Sequence, residues 1–188
     1  LTAEQLEAAL TPTTSLFLFS SPCNPSGSVY TKDELAALAG VFRKYPDVFI
    51  ISDEIYEYIN FVGKHESIAQ CEDLKDRIII INGLSKGYAM TGYRLGYIAA
   101  HPNVIKACEK LQGQYTSGAN AVTQRGAIAA LTGDLAPSIE MNKEFGRRRE
   151  RMLGLLKAIP GIEIAEPDGA FYVFPVVTAY FGKKNGEE

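Results

Sequence analysis

Three uninterrupted apolar runs occupy residues 16–19 (LFLF), 48–51 (VFII) and 78–81 (IIII). Runs this short and this aliphatic, closed by polar or turn-forming residues, predict strands buried on both faces. Each run empties into polar residues. The first leads to Ser20-Ser21-Pro22-Cys23-Asn24-Pro25-Ser26-Gly27. The second leads to Ser52-Asp53-Glu54, with Tyr56 just beyond, and the third passes Asn82-Gly83-Leu84 to reach Ser85-Lys86. Between the first two runs, Thr31 and Glu34 stand at capping-box spacing and open an amphipathic helix that continues to about Lys44. Strands joined by crossovers of this kind are parallel and share one functional edge at their carboxyl ends. A fourth strand over 95–100 follows Lys86 after so short a loop that it could return antiparallel.

The rest of the chain changes period. Thr2 and Gln5 mark a short helix at the start, broken by Thr11-Pro12. After His101-Pro102 the apolar positions recur at helical spacing. Val104, Ile105, Cys108 and Leu111 mark one helix and Ala121, Val122, Ile128 and Leu131 a second, with a long third over 135–159. Its run Arg147-Arg148-Arg149-Glu150-Arg151 reads as a solvated face. Pro160-Gly161 stops it, and two short strands are expected over 162–165 and 171–174, around the turn Glu166-Pro167-Asp168-Gly169. No internal repeat or low-complexity segment is present.

The polar residues at the strand ends are individually dull. Asn24-Pro25 is a common turn, Asp53-Glu54 a solvated strand end, Tyr56 a core aromatic, and Lys86 and Arg94 a loop lysine and an unrelated arginine. Together they meet the needs of one cofactor. A desolvated lysine amine attacks carbonyls. An arginine eight residues on, Arg94, forms a bidentate phosphate clamp. A carboxylate keeps a pyridine nitrogen protonated, and Asn and Tyr can donate to a phenolic oxygen. That is the chemical outline of a pyridoxal 5′-phosphate site.

Composition narrows the alternatives. The chain has 188 residues, enough for one domain or one and a part, with 46% hydrophobic and 22% charged residues. A net charge of −3 argues against nucleic acid or an anionic membrane as partner. No apolar run approaches the roughly 18 to 20 residues that span a bilayer. Cys23, Cys71 and Cys108 are odd in number and far apart. They fit reduced thiols in a cytoplasmic protein better than a disulfide frame or a zinc site, so no metal is expected. A start at Leu1 and a polar finish, KKNGEE, read as a piece of a longer protein.

The ordered set Asn24-Pro25-Ser26-Gly27, Ser52-Asp53-Glu54-Ile55-Tyr56, Ser85-Lys86, Gly92-Tyr93-Arg94-Leu95-Gly96-Tyr97 and Gly169-Ala170-Phe171-Tyr172 resembles the class I and II aminotransferases, among the fold type I pyridoxal phosphate enzymes. The likeness is nearest to the bacterial aspartate aminotransferases of the Ib type and covers essentially the whole chain. It implies an α/β fold in three layers, a mostly parallel sheet flanked by helices. Residues 1–145 would form part of the cofactor-binding large domain, and 146–188 the start of a small α+β domain. It implies that Lys86 forms the internal aldimine and shuttles the proton, and that Asp53 pairs with the pyridinium nitrogen. Tyr56 and Asn24 would hydrogen-bond the 3′-oxygen and Arg94 would bind the phosphate. Many relatives carry a phosphate-binding Ser or Thr three residues before the lysine; here that position is Gly83, and Ser85 is the candidate substitute. The implied reaction moves an amino group from an amino acid to a 2-oxo acid in a cytoplasmic homodimer. A C–S lyase, an aminocyclopropane carboxylate synthase-like enzyme, and a non-catalytic truncated domain are the alternatives. The family's phosphate loop and ring-stacking aromatic lie upstream of this stretch, and its carboxylate-binding arginine lies downstream. The 188 residues alone are therefore expected to bind cofactor poorly and to be inactive.

Overall fold

The computed structural model describes residues 1–184; the last four positions of the polar finish, 185–188, lie outside the described residues. The two capping boxes form as their spacing predicts. Thr2 opens α1 (Ala3–Ala9) and Thr31 opens α2 (Lys32–Phe42), each side chain accepting from the backbone N–H three residues on. The reciprocal bonds, from the cap N–H to the Gln5 and Glu34 side chains, are also present.

The apolar runs become β1 (Leu16–Ser20), β2 (Phe49–Asp53) and β3 (Ile78–Gly83). These pair in parallel in the order β1-β2-β3. β4 (Gly96–Ala99) returns antiparallel on β3. The sheet is thus mixed and mostly parallel, flanked by helices, in an α/β fold. Alternation sends Phe17, Phe19, Ile50, Ile78 and Ile80 to one face. There Leu35, Leu38, Ala39 and Phe42 of α2 bury against them, with Phe42 fully enclosed and its ring 5.3 Å from Phe17. Arg77 ties the start of β3 to the end of α2 by donating to the carbonyls of Phe42, Tyr45 and Val48.

The opposite face departs from the expectation of two-sided burial. Leu16, Leu18 and Phe49 remain 49%, 63% and 38% exposed.

Three further helices follow: α3 (Pro102–Tyr115), α4 (Ala121–Thr132) and α5 (Ala136–Lys157). α5 runs unbroken past residue 145. Arg147 and Arg148 stand in solvent and share Glu144. Arg149 does not fit the solvated face, because its side chain is only 17% exposed and its guanidinium donates to the Pro167 carbonyl at 2.6 Å. After α5 come β5 (Glu163–Ile164) and β6 (Pro175–Val176), an antiparallel pair. The strand expected over 171–174 is therefore displaced. Ala170 adopts a left-handed backbone with φ of 56°, which breaks extension, and the aromatic pair after it packs on Tyr56 instead. Among the described residues no helix is long and apolar enough to cross a membrane.

Candidate functional site

The parallel register brings the carboxyl ends of β1, β2 and β3 to one edge. Ser20 lies opposite Asp53, and Asp53 opposite Ile81. Two backbone bonds carry the ladder past the strand ends: Ser21 N–H to the Asp53 carbonyl and Glu54 N–H to the Ile81 carbonyl. Asn24, Asp53, Tyr56 and Lys86 all leave from this edge.

Tyr56 is buried, and its hydroxyl lies 2.5 Å from the hydroxyl of Tyr172. Asn24 Nδ2 donates to that same Tyr172 oxygen at 3.4 Å. Burial pushes the Tyr56 phenol above its ordinary value. Either hydroxyl of the pair can donate to the other. Lys86 Nζ stands 5.8 Å from the Tyr56 ring centre and 5.6 Å from that of Phe171. The amine thus faces two aromatic surfaces beside the hydroxyl pair.

Asp53 and Glu54 separate cleanly. Glu54 is buried, and both its oxygens are taken. Ser52 donates to Oε1 at 3.0 Å and Ser67 at 2.6 Å, while His65 Nε2 lies 3.0 Å from Oε2. Asp53 is half-buried and accepts at one oxygen from the Ile55 N–H. Glu54 thus serves the packing of the strand end, and Asp53 keeps an oxygen for other use.

Ser85 is half-buried beside Lys86, and Arg94 is exposed. Arg94 has a left-handed backbone, φ 55°, and its guanidinium donates to the Thr91 carbonyl at 2.9 Å. It is not joined to the Asn24–Tyr56–Tyr172 cluster by a hydrogen bond. Gly83 has a packing reason. It pairs with Gly96, and a Cβ added there would lie 2.9 Å from Gly96 Cα and 3.0 Å from the Leu95 carbonyl oxygen. A side chain added at this position has no room unless β4 moves. Gly83→Ser is accordingly expected to destabilise the protein by roughly 1–3 kcal/mol, measured by chemical denaturation. Unchanged stability would show that β4 yields at no cost.

Tyr172 is the residue that pattern reasoning did not assign. It belongs to the Gly169-Ala170-Phe171-Tyr172 motif, 116 positions from Tyr56. Backbone bonds deliver it: Ala170 N–H to Ile59 carbonyl at 2.7 Å, and Phe61 N–H to Asp168 carbonyl at 2.8 Å. Asp168 and Gly169 N–H groups both donate to the Gly27 carbonyl at 2.8 Å. Gly27, with φ of 70°, lets Pro167 approach so closely that an added Cβ would sit 2.2 Å from Pro167 Cβ.

An amide donor and a phenol side by side, with an amine and a carboxylate at the same edge, make a donor set that suits a hydroxypyridine aldehyde. Residues 1–185 match the family described as aminotransferase class I and II. An aspartate/prephenate aminotransferase of Nitrosomonas europaea is 42% identical over 98% of this chain and 47% of its own length. The aspartate aminotransferase of Bacillus subtilis is 45% identical over 92% of this chain and 44% of its own. The crystal structure of the aspartate aminotransferase from Rhizobium meliloti superposes with a TM-score of 0.89 at 41% identity, over 93% of this chain and 44% of that one. The chain spans about half the length of the relatives it matches. Matched from residue 1 to residue 185, it belongs to the class I and II aminotransferases.

Proposed function

We propose that the protein carrying this chain transfers an amino group from an amino acid, aspartate foremost, to a 2-oxo acid, using pyridoxal 5′-phosphate. The observation that carries this reading is the convergence of Asn24, Asp53, Tyr56 and Lys86 at one sheet edge, where Asn24 and Tyr56 meet at the Tyr172 hydroxyl. The names of the relatives support aspartate as the first substrate to try. When bound, the cofactor supplies an aldehyde that engages amines and a ring that withdraws electrons.

The chain's own residues supply the rest. Lys86 provides the amine and carries a proton at Nζ to and from the substrate carbon. Asp53 holds the proton of the ring nitrogen, and Tyr56 and Asn24 donate to the ring oxygen. Arg94 binds phosphate oxygens, with Ser85 as a second donor. Phe171 and Tyr56 exclude water from one side of the Lys86 amine.

The reading extends to a homodimer working in the cytoplasm. It divides the chain into a large-domain part over 1–145 and the start of a small domain over 146–188, with the boundary inside the continuous α5 helix. The full-length protein, loaded with cofactor, is expected to convert aspartate and 2-oxoglutarate to oxaloacetate and glutamate. Release of ammonia or thiol without amino transfer would instead point to a lyase.

A further inference from the structure

We propose that Tyr172 is a positioning residue for Tyr56, forming a hydroxyl chain in which Tyr172 donates to Tyr56 and Tyr56 donates onward to the ring oxygen of the cofactor. This deepens the function proposed above and rests on it. The carrying observation is the 2.5 Å separation of the two hydroxyls, together with the 3.4 Å contact from Asn24 to the Tyr172 oxygen. Tyr172 thus touches both side chains assigned to that ring oxygen. A phenol that gives its only proton away still offers its oxygen lone pairs. Tyr172 is placed to fill one, and consecutive O–H···O bonds polarise one another, so a donor is strengthened by being itself an acceptor.

The placement is built into the backbone. The turn that presents Tyr172 is bonded at Gly27 to the loop holding Asn24. It is bonded at Ile59 and Phe61 to the turn following Tyr56, and Ile59 N–H in turn donates to the Tyr56 carbonyl. The same short segment therefore fixes three groups relative to one another. Residues past α5 contribute to the site as well as to the fold.

A purely structural role is the competing explanation. The Tyr172 ring does pack on Tyr56 at 5.7 Å and on Phe171 at 4.9 Å between centres. Tyr172→Phe keeps that ring and removes only the hydroxyl, so the two roles separate.

The experiment uses the full-length protein loaded with pyridoxal 5′-phosphate. The visible absorbance of the bound cofactor is titrated against pH in wild type, Tyr172→Phe, Tyr56→Phe and the double variant. Weaker donation to the ring oxygen raises the pH midpoint of the absorbance change. Tyr172→Phe is expected to raise it by roughly 0.4 to 1 pH unit, the worth of one ordinary hydrogen bond. Tyr56→Phe is expected to raise it further. The double variant is expected to match Tyr56→Phe alone, because Tyr172 acts through Tyr56. An unmoved midpoint in Tyr172→Phe, or a double variant whose shift is the sum of the two, overturns the inference while leaving the function intact. A wild-type protein with no visible band that depends on Lys86 overturns the proposed function and this inference with it.

Discussion

Lys86→Ala is expected to lower amino transfer by at least about 10⁴-fold while leaving the fold unchanged. The size follows from the two jobs that one amine performs, capture of a carbonyl and transport of a proton. Lys86 follows the end of β3 at the edge formed by the ends of β1, β2 and β3. The fold is expected to survive because the Lys86 side chain contributes no hydrogen bond and no ion pair among the described residues; its neighbours are the faces of Tyr56 and Phe171. Lys86→Arg keeps the positive charge over those rings but not a reactive amine. It is expected to be as inactive as Lys86→Ala. Steady-state kinetics with aspartate and 2-oxoglutarate, alongside circular dichroism, checks both variants. Turnover near wild type in either one removes Lys86 from its assigned role.

Asp53→Ala is expected to cost about 3–5 kcal/mol of transition-state stabilisation, or roughly 10²- to 10⁴-fold in rate. A carboxylate facing the ring nitrogen keeps that nitrogen protonated, and the ring is a far poorer electron sink without it. Asp53→Glu is expected to be milder, because the charge survives at a changed distance. Glu54→Ala makes the informative contrast. Glu54 is the buried hub for Ser52, Ser67 and His65, so its removal strands three polar side chains. Its effect is expected on unfolding, with turnover per folded molecule largely retained. Parallel denaturation and kinetic measurements on Asp53→Ala and Glu54→Ala separate the two roles. A well-folded Glu54→Ala protein with the greater loss of turnover would reverse the assignment.

The parts of this fold that were legible in the sequence are those set by neighbours along the chain. Thr31 and Glu34 are three residues apart, and their capping box forms as written. The aliphatic runs become parallel strands because each carries its own periodicity and its own polar terminator. Their exposure was not legible. Whether Leu16 and Leu18 are covered depends on what lies across the sheet, and a run of apolar residues specifies only that cover is favourable. The strand expected over 171–174 failed for a related reason. Phe171 and Tyr172 have strand-like composition, but the left-handed turn at Ala170 and the packing on Tyr56 are tertiary. Asn24, Asp53, Tyr56 and Lys86 could be singled out from the sequence because they lie at or follow the ends of predictable strands. Tyr172 carried no such local mark, since its partner is 116 residues away. Gly83 looked like a lost hydroxyl in the sequence; the close approach of Gly96 gives it a reason of its own.

The central claim is that Lys86 is the amine that engages the cofactor at this sheet edge. It is tested most directly by incubating the full-length protein with pyridoxal 5′-phosphate, reducing with borohydride, and mapping the modified peptides by mass spectrometry. The predicted result is stoichiometric modification of the peptide containing Lys86, lost in Lys86→Ala. Modification spread over surface lysines such as Lys32 and Lys143, with Lys86 unlabelled, would contradict the account.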